Sequence, residues 1–154
     1  MQALNLPAIN ARIRTQNGRH EILDPVRKQY VAHTPEEWVR QHLIAFLIHD
    51  RKVPEGLIAV EKQITVNQLS KRCDIVVYNP SGNPVMVVEC KSPSVKISKE
   101  TYNQAVRYNL SLNIRYMLLS NGLSHFCFKL DYQDHKSIQL DYIPVFQELS
   151  GINP

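Results

Sequence analysis

Disulfides, zinc sites and membrane spans have little to be made from in this sequence. It holds three cysteines in 154 residues, Cys73, Cys90 and Cys127, an odd number with no C-x-x-C spacing. They sit in or beside apolar, strand-like runs and read as buried free thiols of a reducing compartment. No apolar run approaches the roughly 20 residues that a helix needs to span a bilayer. The first ten residues, M-Q-A-L-N-L-P-A-I-N, lack the charged and apolar regions of a signal peptide. The expected location is therefore cytoplasmic, with no membrane contact. The six histidines offer no ligand pair: His42 and His49 share a helical face but stand too far apart for one metal. There is no internal repeat, low-complexity segment or linker. The excess of positive charge is small, net +4 with a pI near 9.0. It permits a polyanionic partner without demanding one.

What the sequence does have is one domain's worth of apolar residues, 44% of the chain. Its most informative stretch runs from Lys71 to Lys91, K-R-C-D-I-V-V-Y-N-P-S-G-N-P-V-M-V-V-E-C-K. Branched aliphatic residues dominate both arms around a turn at Asn79 to Pro84, which reads as a buried β-hairpin. With Asn79 opposite Pro84, Tyr78 faces Val85, Val76 faces Val87, and Asp74 faces Glu89. Lys91, two residues on, shares that face. Cys73, Ile75, Val77, Met86, Val88 and Cys90 make the other face. Directly opposed side chains have Cβ atoms about 4.5–5.5 Å apart, and like charges there destabilise. A hard divalent cation such as Mg²⁺ between the carboxylates would remove the repulsion. Lys91 could then neutralise a phosphate or orient a water, which suggests metal-assisted phosphodiester hydrolysis. A salt bridge at a sheet end, with Lys91 pairing Glu89 or Asp74, explains the spacing equally well.

Around the hairpin the pattern is helix, three strands, helix, strand pair. Asn17-Gly18 marks a tight turn between two short arms, and Asp24-Pro25 looks like the start of a short helix through Tyr30. Residues 1–33 are thus expected as a hairpin and short helix packed on a domain of residues 34–154. Thr34-Pro35-Glu36-Glu37 opens a long helix to about His49, with Thr34 as N-cap and Glu37 completing a capping box. Its inward stripe is Val39, Leu43, Phe46 and Leu47. At about 100° per residue Glu36 falls near the centre of that stripe and Glu37 away from it. The cap accounts for Glu37, while Glu36 either wants a partner or frays out to solvent. Leu57 to Val66 is a strand leading into the hairpin. A second helix runs from about Lys99 to Leu110, with an apolar stripe of Tyr102, Val106 and Leu110. Gln104 and Tyr108 share another side. Strands follow at Ile114 to Ser120 and His125 to Leu130. The pattern predicts a strand at Ile138 to Ile143, and the tail is expected to fray at its end.

A helix with an acid near its start, a meander ending in D…E-x-K, then a helix and strand resemble the PD-(D/E)XK nuclease superfamily. The phrases T-P-E-E-W-V-R-Q (34–41), R-C-D-I-V-V-Y-N (72–79), V-E-C-K-S-P (88–93) and Q-A-V-R-Y-N (104–109) resemble the N-terminal nuclease domain of type I restriction enzyme R subunits, in its short stand-alone form. Gln104 and Tyr108 fit the Q-x-x-x-Y motif of those nucleases. The resemblance implies a restriction-endonuclease-like αβββαβ core, a mixed α/β (α+β) fold with helices on both faces of a central mixed sheet, plus the N-terminal hairpin.

The resemblance also implies roles. Asp74, Glu89, the Cys90 carbonyl and Glu36 would bind Mg²⁺ or Mn²⁺. Lys91 would orient water and steady the scissile phosphate. Gln104 and Tyr108 would position the DNA backbone or Lys91. Lys71, Arg72, Lys96, Lys99 and Arg107 would contact phosphates, although each also reads as part of a solvated basic face. Two departures stand out. Cys73 occupies the place of the motif proline, and the sequence holds no G-x-x-x-x-G-K-[ST]. The expectation is a Mg²⁺-dependent DNA endonuclease without its own motor, with a separate helicase or specificity subunit as a further partner. A double-strand break would favour a homodimer. The competing expectations are a silent nucleic-acid- or partner-binding module, and a structural subunit of a defence complex.

Overall fold

Short turns set the registers of this fold, of which the computed structural model describes residues 1–151. Asn17 and Gly18 take positive φ, 52° and 74°, and join β1 (Ile13–Gln16) to β2 (Arg19–Asp24) in an antiparallel hairpin. β3 (Gln29–Ala32) pairs with the far side of β2, so the N-terminal region is a three-stranded sheet. The short helix expected from Asp24 to Tyr30 does not form. Asp24 does cap, but it caps a turn: its Oδ1 accepts from the backbone N–H groups of Val26 and Arg27, both at 2.9 Å. Lys28, at φ 54°, then swings the chain into β3. Tyr30 and Val31 suit a strand paired along β2 better than a helix with no further turns to propagate.

α1 (Pro35–His49) starts as expected, Thr34 Oγ1 accepting from Glu37 N at 3.1 Å. The return half of the capping box is not made, because the Glu37 carboxylate turns to cations instead. Val39, Leu43 and Leu47 are fully buried while Phe46 is only partly so. The helical-wheel expectation for the two acids is reversed. Glu37 is buried and the Glu36 side chain is 45% exposed. Tertiary charge decides this: a buried carboxylate is tolerable where cations meet it, and Glu37 has two.

A second sheet has six strands in the order β4 (Ile58–Val66), β5 (Leu69–Tyr78), β6 (Pro84–Cys90), β7 (Tyr116–Ser120), β8 (His125–Asp131) and β9 (Lys136–Leu140). All neighbours are antiparallel except β6 and β7, which run parallel. Parallel neighbours need a crossover, and α2 (Lys99–Leu112) supplies it. In the β5–β6 hairpin Val76 faces Val87 as counted. A register shift after Val77, however, sets Tyr78 opposite Pro84 rather than Val85.

Two apolar layers result. Ile75, Val77, Met86, Val88 and Cys90 pack under α1 and the short α3 (Phe146–Ser150), with Leu4, Leu6 and Val26 of the N-terminal region against them. Val76, Val87 and Met117 pack with Val106 and Leu112 of α2 on the other face. Cys73 belongs to this second layer and not, as strict alternation would have it, to the layer of Ile75 and Val77. The molecule is a mixed α/β fold with helices on both faces of a mixed sheet, consistent with a restriction-endonuclease-like architecture. All three cysteines are free and buried. Among the described residues no helix is long and apolar enough to cross a membrane. The sequence pattern did not show α3, and the expected fraying of the tail falls on residues 152–154, outside the described residues.

Candidate active site

The break in alternation at Cys73 marks where the sheet opens. Asn67 and Gln68, at φ 49° and 68°, make a two-residue turn that pairs Val66 with Leu69. That register places Glu61 opposite Asp74. Pairing holds at Val60 with Ile75 and at Lys62 with Cys73, but skips Glu61 and Asp74. Glu61 itself has φ 56°, a conformation costing a non-glycine residue about 1–2 kcal/mol. On the other side, β5–β6 pairing stops at Ile75 with Val88, one step before Asp74 and Glu89. Asp74 is thus skipped on both sides. Cys90 N, released from the β5 ladder, donates to Asp74 Oδ2 at 2.7 Å. Glu89 and Cys90 stay paired to β7, and Lys91 N donates to Ser120 O at 2.9 Å, which fixes the E-C-K backbone.

Glu61, Asp74 and Glu89 therefore form a row across three strands, and neighbouring cations hold it. Arg40 Nη2 lies 2.9 Å from Asp74 Oδ1, 2.8 Å from Glu61 Oε1 and 3.7 Å from Glu36 Oε1. Its Nη1 lies 2.5 Å from Glu37 Oε2. Lys71 Nζ lies 2.6 Å from Glu89 Oε1 and 4.5 Å from the centre of the Tyr108 ring. Arg72 pairs with Glu61 at 2.5 Å from an exposed position. Lys91 forms no ion pair among the described residues.

The electrostatics follow this layout. Burial pushes the Glu89 carboxyl up; Lys71 and Lys91 pull it down and Asp74 adds to the rise. Burial and then Asp74 raise Glu36, against Arg40 and Lys91. Burial works against the Arg40 charge, yet Glu37, Asp74 and Glu61 outweigh it and raise the guanidinium further. Glu36 and Glu89 are thus each within electrostatic reach of both Asp74 and Lys91. Glu36 is the helix acid that feels Asp74 and Lys91; Glu37 is committed to Arg27, Arg40 and Gln41.

The donor set suits a hard divalent ion: carboxylate oxygens of Asp74, Glu89 and Glu36 with the Cys90 carbonyl nearby in the chain. Burial first, and the neighbouring Asp74 carboxylate after it, disfavours the charged forms of Glu36 and Glu89, and a bound cation would favour them. Among the described residues no three His, Cys, Asp or Glu side chains are grouped to hold a metal. Arg40 pairs with Asp74 and Lys71 with Glu89.

The remaining predicted residues lie further out. Tyr108 reaches the site through Lys71. Gln104 is exposed on α2, where it lines an open depression of about 540 Å³ with Lys99, Glu100, Asn103 and Arg107. Lys96 is exposed on the loop before α2. Lys71 and Arg72 are engaged with carboxylates rather than free. A larger cavity, about 660 Å³ between the N-terminal arm and α1, includes no predicted site residue. Sequence reasoning missed Arg40 and Glu61. Counting back from the Asn67-Gln68 turn would have found Glu61.

Residues 35–144 match the family described as type I restriction enzyme R protein N terminus. Among solved structures, a fragment described as an HsdR subunit of a type I restriction enzyme from Vibrio vulnificus superposes with a TM-score of 0.51 at 18% identity. The match covers 75% of this chain and 24% of that one, so this chain spans about a quarter of its length. At that identity the likeness bears on the fold alone. No curated protein matches.

Proposed function

The chain belongs to the family of type I restriction enzyme R protein N termini, and on that premise we propose that it is a Mg²⁺- or Mn²⁺-dependent DNA endonuclease with a PD-(D/E)XK site. The observation that carries this reading is Lys91. Of the five cations around the site (Arg27, Arg40, Lys71, Arg72 and Lys91), it is the one in no ion pair among the described residues. Its backbone is anchored on β7, and its ammonium is left for an incoming phosphate.

Asp74 and Glu89, with Glu36 and the Cys90 carbonyl, would hold the divalent ion. When bound, that ion would supply Lewis-acid polarisation of the phosphate and lower the pKa of a bound water. Lys91 steadies the scissile phosphate and orients the attacking water. Tyr108 keeps Lys71 beside Glu89, and Gln104 with Lys99 and Arg107 tracks the DNA backbone along α2. Lys96 and Arg72 add exposed phosphate contacts. The setting is a restriction complex with DNA and further subunits, among them a helicase or specificity subunit; two copies of this chain would make a double-strand break.

A second reading has an observation of its own. Asp74 and Glu89 are both ion-paired within the chain, as suits a silent module that binds nucleic acid or a partner subunit. Supercoiled plasmid incubated with the protein and Mg²⁺ or Mn²⁺ separates the two. Nicking that EDTA and Lys91→Ala abolish supports the nuclease. Cation-independent DNA binding without nicking supports the silent module.

A further inference from the structure

We propose that Arg40 is the positioning residue for Asp74, and that the N-terminal sheet holds Arg40 in place through a run of alternating charges. The proposal rests on the reading of Asp74 as a cation ligand. The run starts at Asp24 on β2, whose Oδ2 takes Arg27 Nε at 2.6 Å. Arg27 Nη2 reaches Glu37 Oε1 at 2.9 Å, and Glu37 Oε2 meets Arg40 Nη1 at 2.5 Å. Arg40 Nη2 ends the run on Asp74 Oδ1 at 2.9 Å. Gln41 Nε2 adds a bond to Glu37 Oε1 at 2.8 Å. Asp24 is fully buried, and Glu37 and Arg40 are each 5% exposed.

Burying so many charges is costly unless each is paired in good geometry. Here each carboxylate of the run meets a guanidinium, although Arg40 Nε is buried with no partner among the described residues, and the run leads to the one acid that both neighbouring strands skip. Without ladder bonds at Asp74, the orientation of its side chain depends on its own two contacts, Cys90 N–H on Oδ2 and Arg40 on Oδ1. Each carboxylate oxygen has a second lone pair, so both contacts can persist while a cation binds. The guanidinium is planar and always charged, so its fork fixes direction as well as charge. The residues behind a metal ligand commonly matter by about 10–100-fold in metal affinity or activity.

The test is Mn²⁺ binding to the full chain by calorimetry, beside plasmid nicking, for wild type, Arg40→Gln, Arg40→Lys and the double variant Glu37→Gln with Arg40→Gln. The double variant removes both charges of the buried Glu37–Arg40 pair, so Glu37 is not left short of a cation if the single variant fails to fold. The expected result is Mn²⁺ binding weakened about 10–100-fold in the glutamine variants, with part restored by lysine. A merely structural role would lower melting temperatures without moving the Mn²⁺ affinity of the folded protein, and that result overturns the proposal. Tighter Mn²⁺ binding would overturn it too, since the guanidinium would then be a competitor. If wild type neither binds Mn²⁺ nor nicks DNA, the reading of the site fails first and takes this proposal with it.

Discussion

Glu61 and Asp74 face each other on adjacent strands, and a single nitrogen of Arg40 lies 2.8 Å from one carboxylate and 2.9 Å from the other. Opposed like charges destabilise a sheet. Here the sheet gives up the pairing at that step, and a helix supplies the counter-charge.

Glu36 and Glu37 are adjacent in sequence and should behave differently when neutralised. Glu37→Gln strips the buried partner of Arg27 and Arg40 and is expected to cost about 3 kcal/mol in chemical denaturation. Glu36→Gln, half exposed, is expected to stay within about 0.5 kcal/mol while altering the Mn²⁺ response. Equal stability losses would remove the distinction between a structural and a site acid.

Lys91→Ala should separate activity from stability. Its ammonium supports no ion pair among the described residues, so denaturation should move by less than about 0.5 kcal/mol. Nicking should fall at least about 100-fold, the scale of losing one preorganised group at the reacting centre. A variant that lost stability and activity together would mean that Lys91 holds the fold instead.

The raised carboxyls of Glu36 and Glu89 carry a sign. Their folded pKa values lie above the unfolded ones, so the folded state holds these protons more tightly. The contribution of the two groups to stability is therefore greatest at acid pH and is lost as pH rises through the folded values. Cation binding runs the other way, because protons compete for the same oxygens. As pH falls, Mn²⁺ affinity should begin to weaken while the pH is still above the ordinary glutamate value of about 4.3. A midpoint at or below that value would contradict the assignment.

Gly122 closes the turn after β7 at φ 81°, and an added Cβ would stand 2.9 Å from Leu4 Cδ2 and 3.0 Å from Val39 Cγ2. Gly122→Ala combines backbone strain of about 1–2 kcal/mol with that crowding. It should also loosen the N-terminal arm, which bonds Gly122 O through Asn5 N at 2.8 Å. Hydrogen exchange at Asn5 reports the loosening; unchanged protection would show that the arm is held elsewhere.

The elements that follow a period were legible in the sequence. Thr34 and Pro35 marked the start of α1, the valine-rich arms marked β5 and β6, and Asn17-Gly18 marked the first hairpin. A mixed sheet was expected only from the resemblance, and the structure is what shows β6 and β7 as its parallel pair. Features set by tertiary charge were not legible. Within α1, Arg40 stands in reach of both Glu36 and Glu37, and the partner that distinguishes them, Arg27, lies on a turn outside the helix. The same holds for Arg40, which reads locally as one more polar residue of a helix. The short helix at Asp24 failed for a related reason: one carboxylate can cap a turn or a helix, and pairing with β2 chose between them.

The row of acids also has an order in time. Glu61, Asp74 and Glu89 are joined by short turns, and such local contacts close early, whereas Arg40 arrives from 34 residues away. The refolding chain is thus expected to pass through a stage in which three carboxylates are together before their arginine reaches them. Asp74→Asn should speed refolding in a stopped-flow experiment even as it abolishes the site, making the acid on which the proposed chemistry depends a brake on the chain's own assembly.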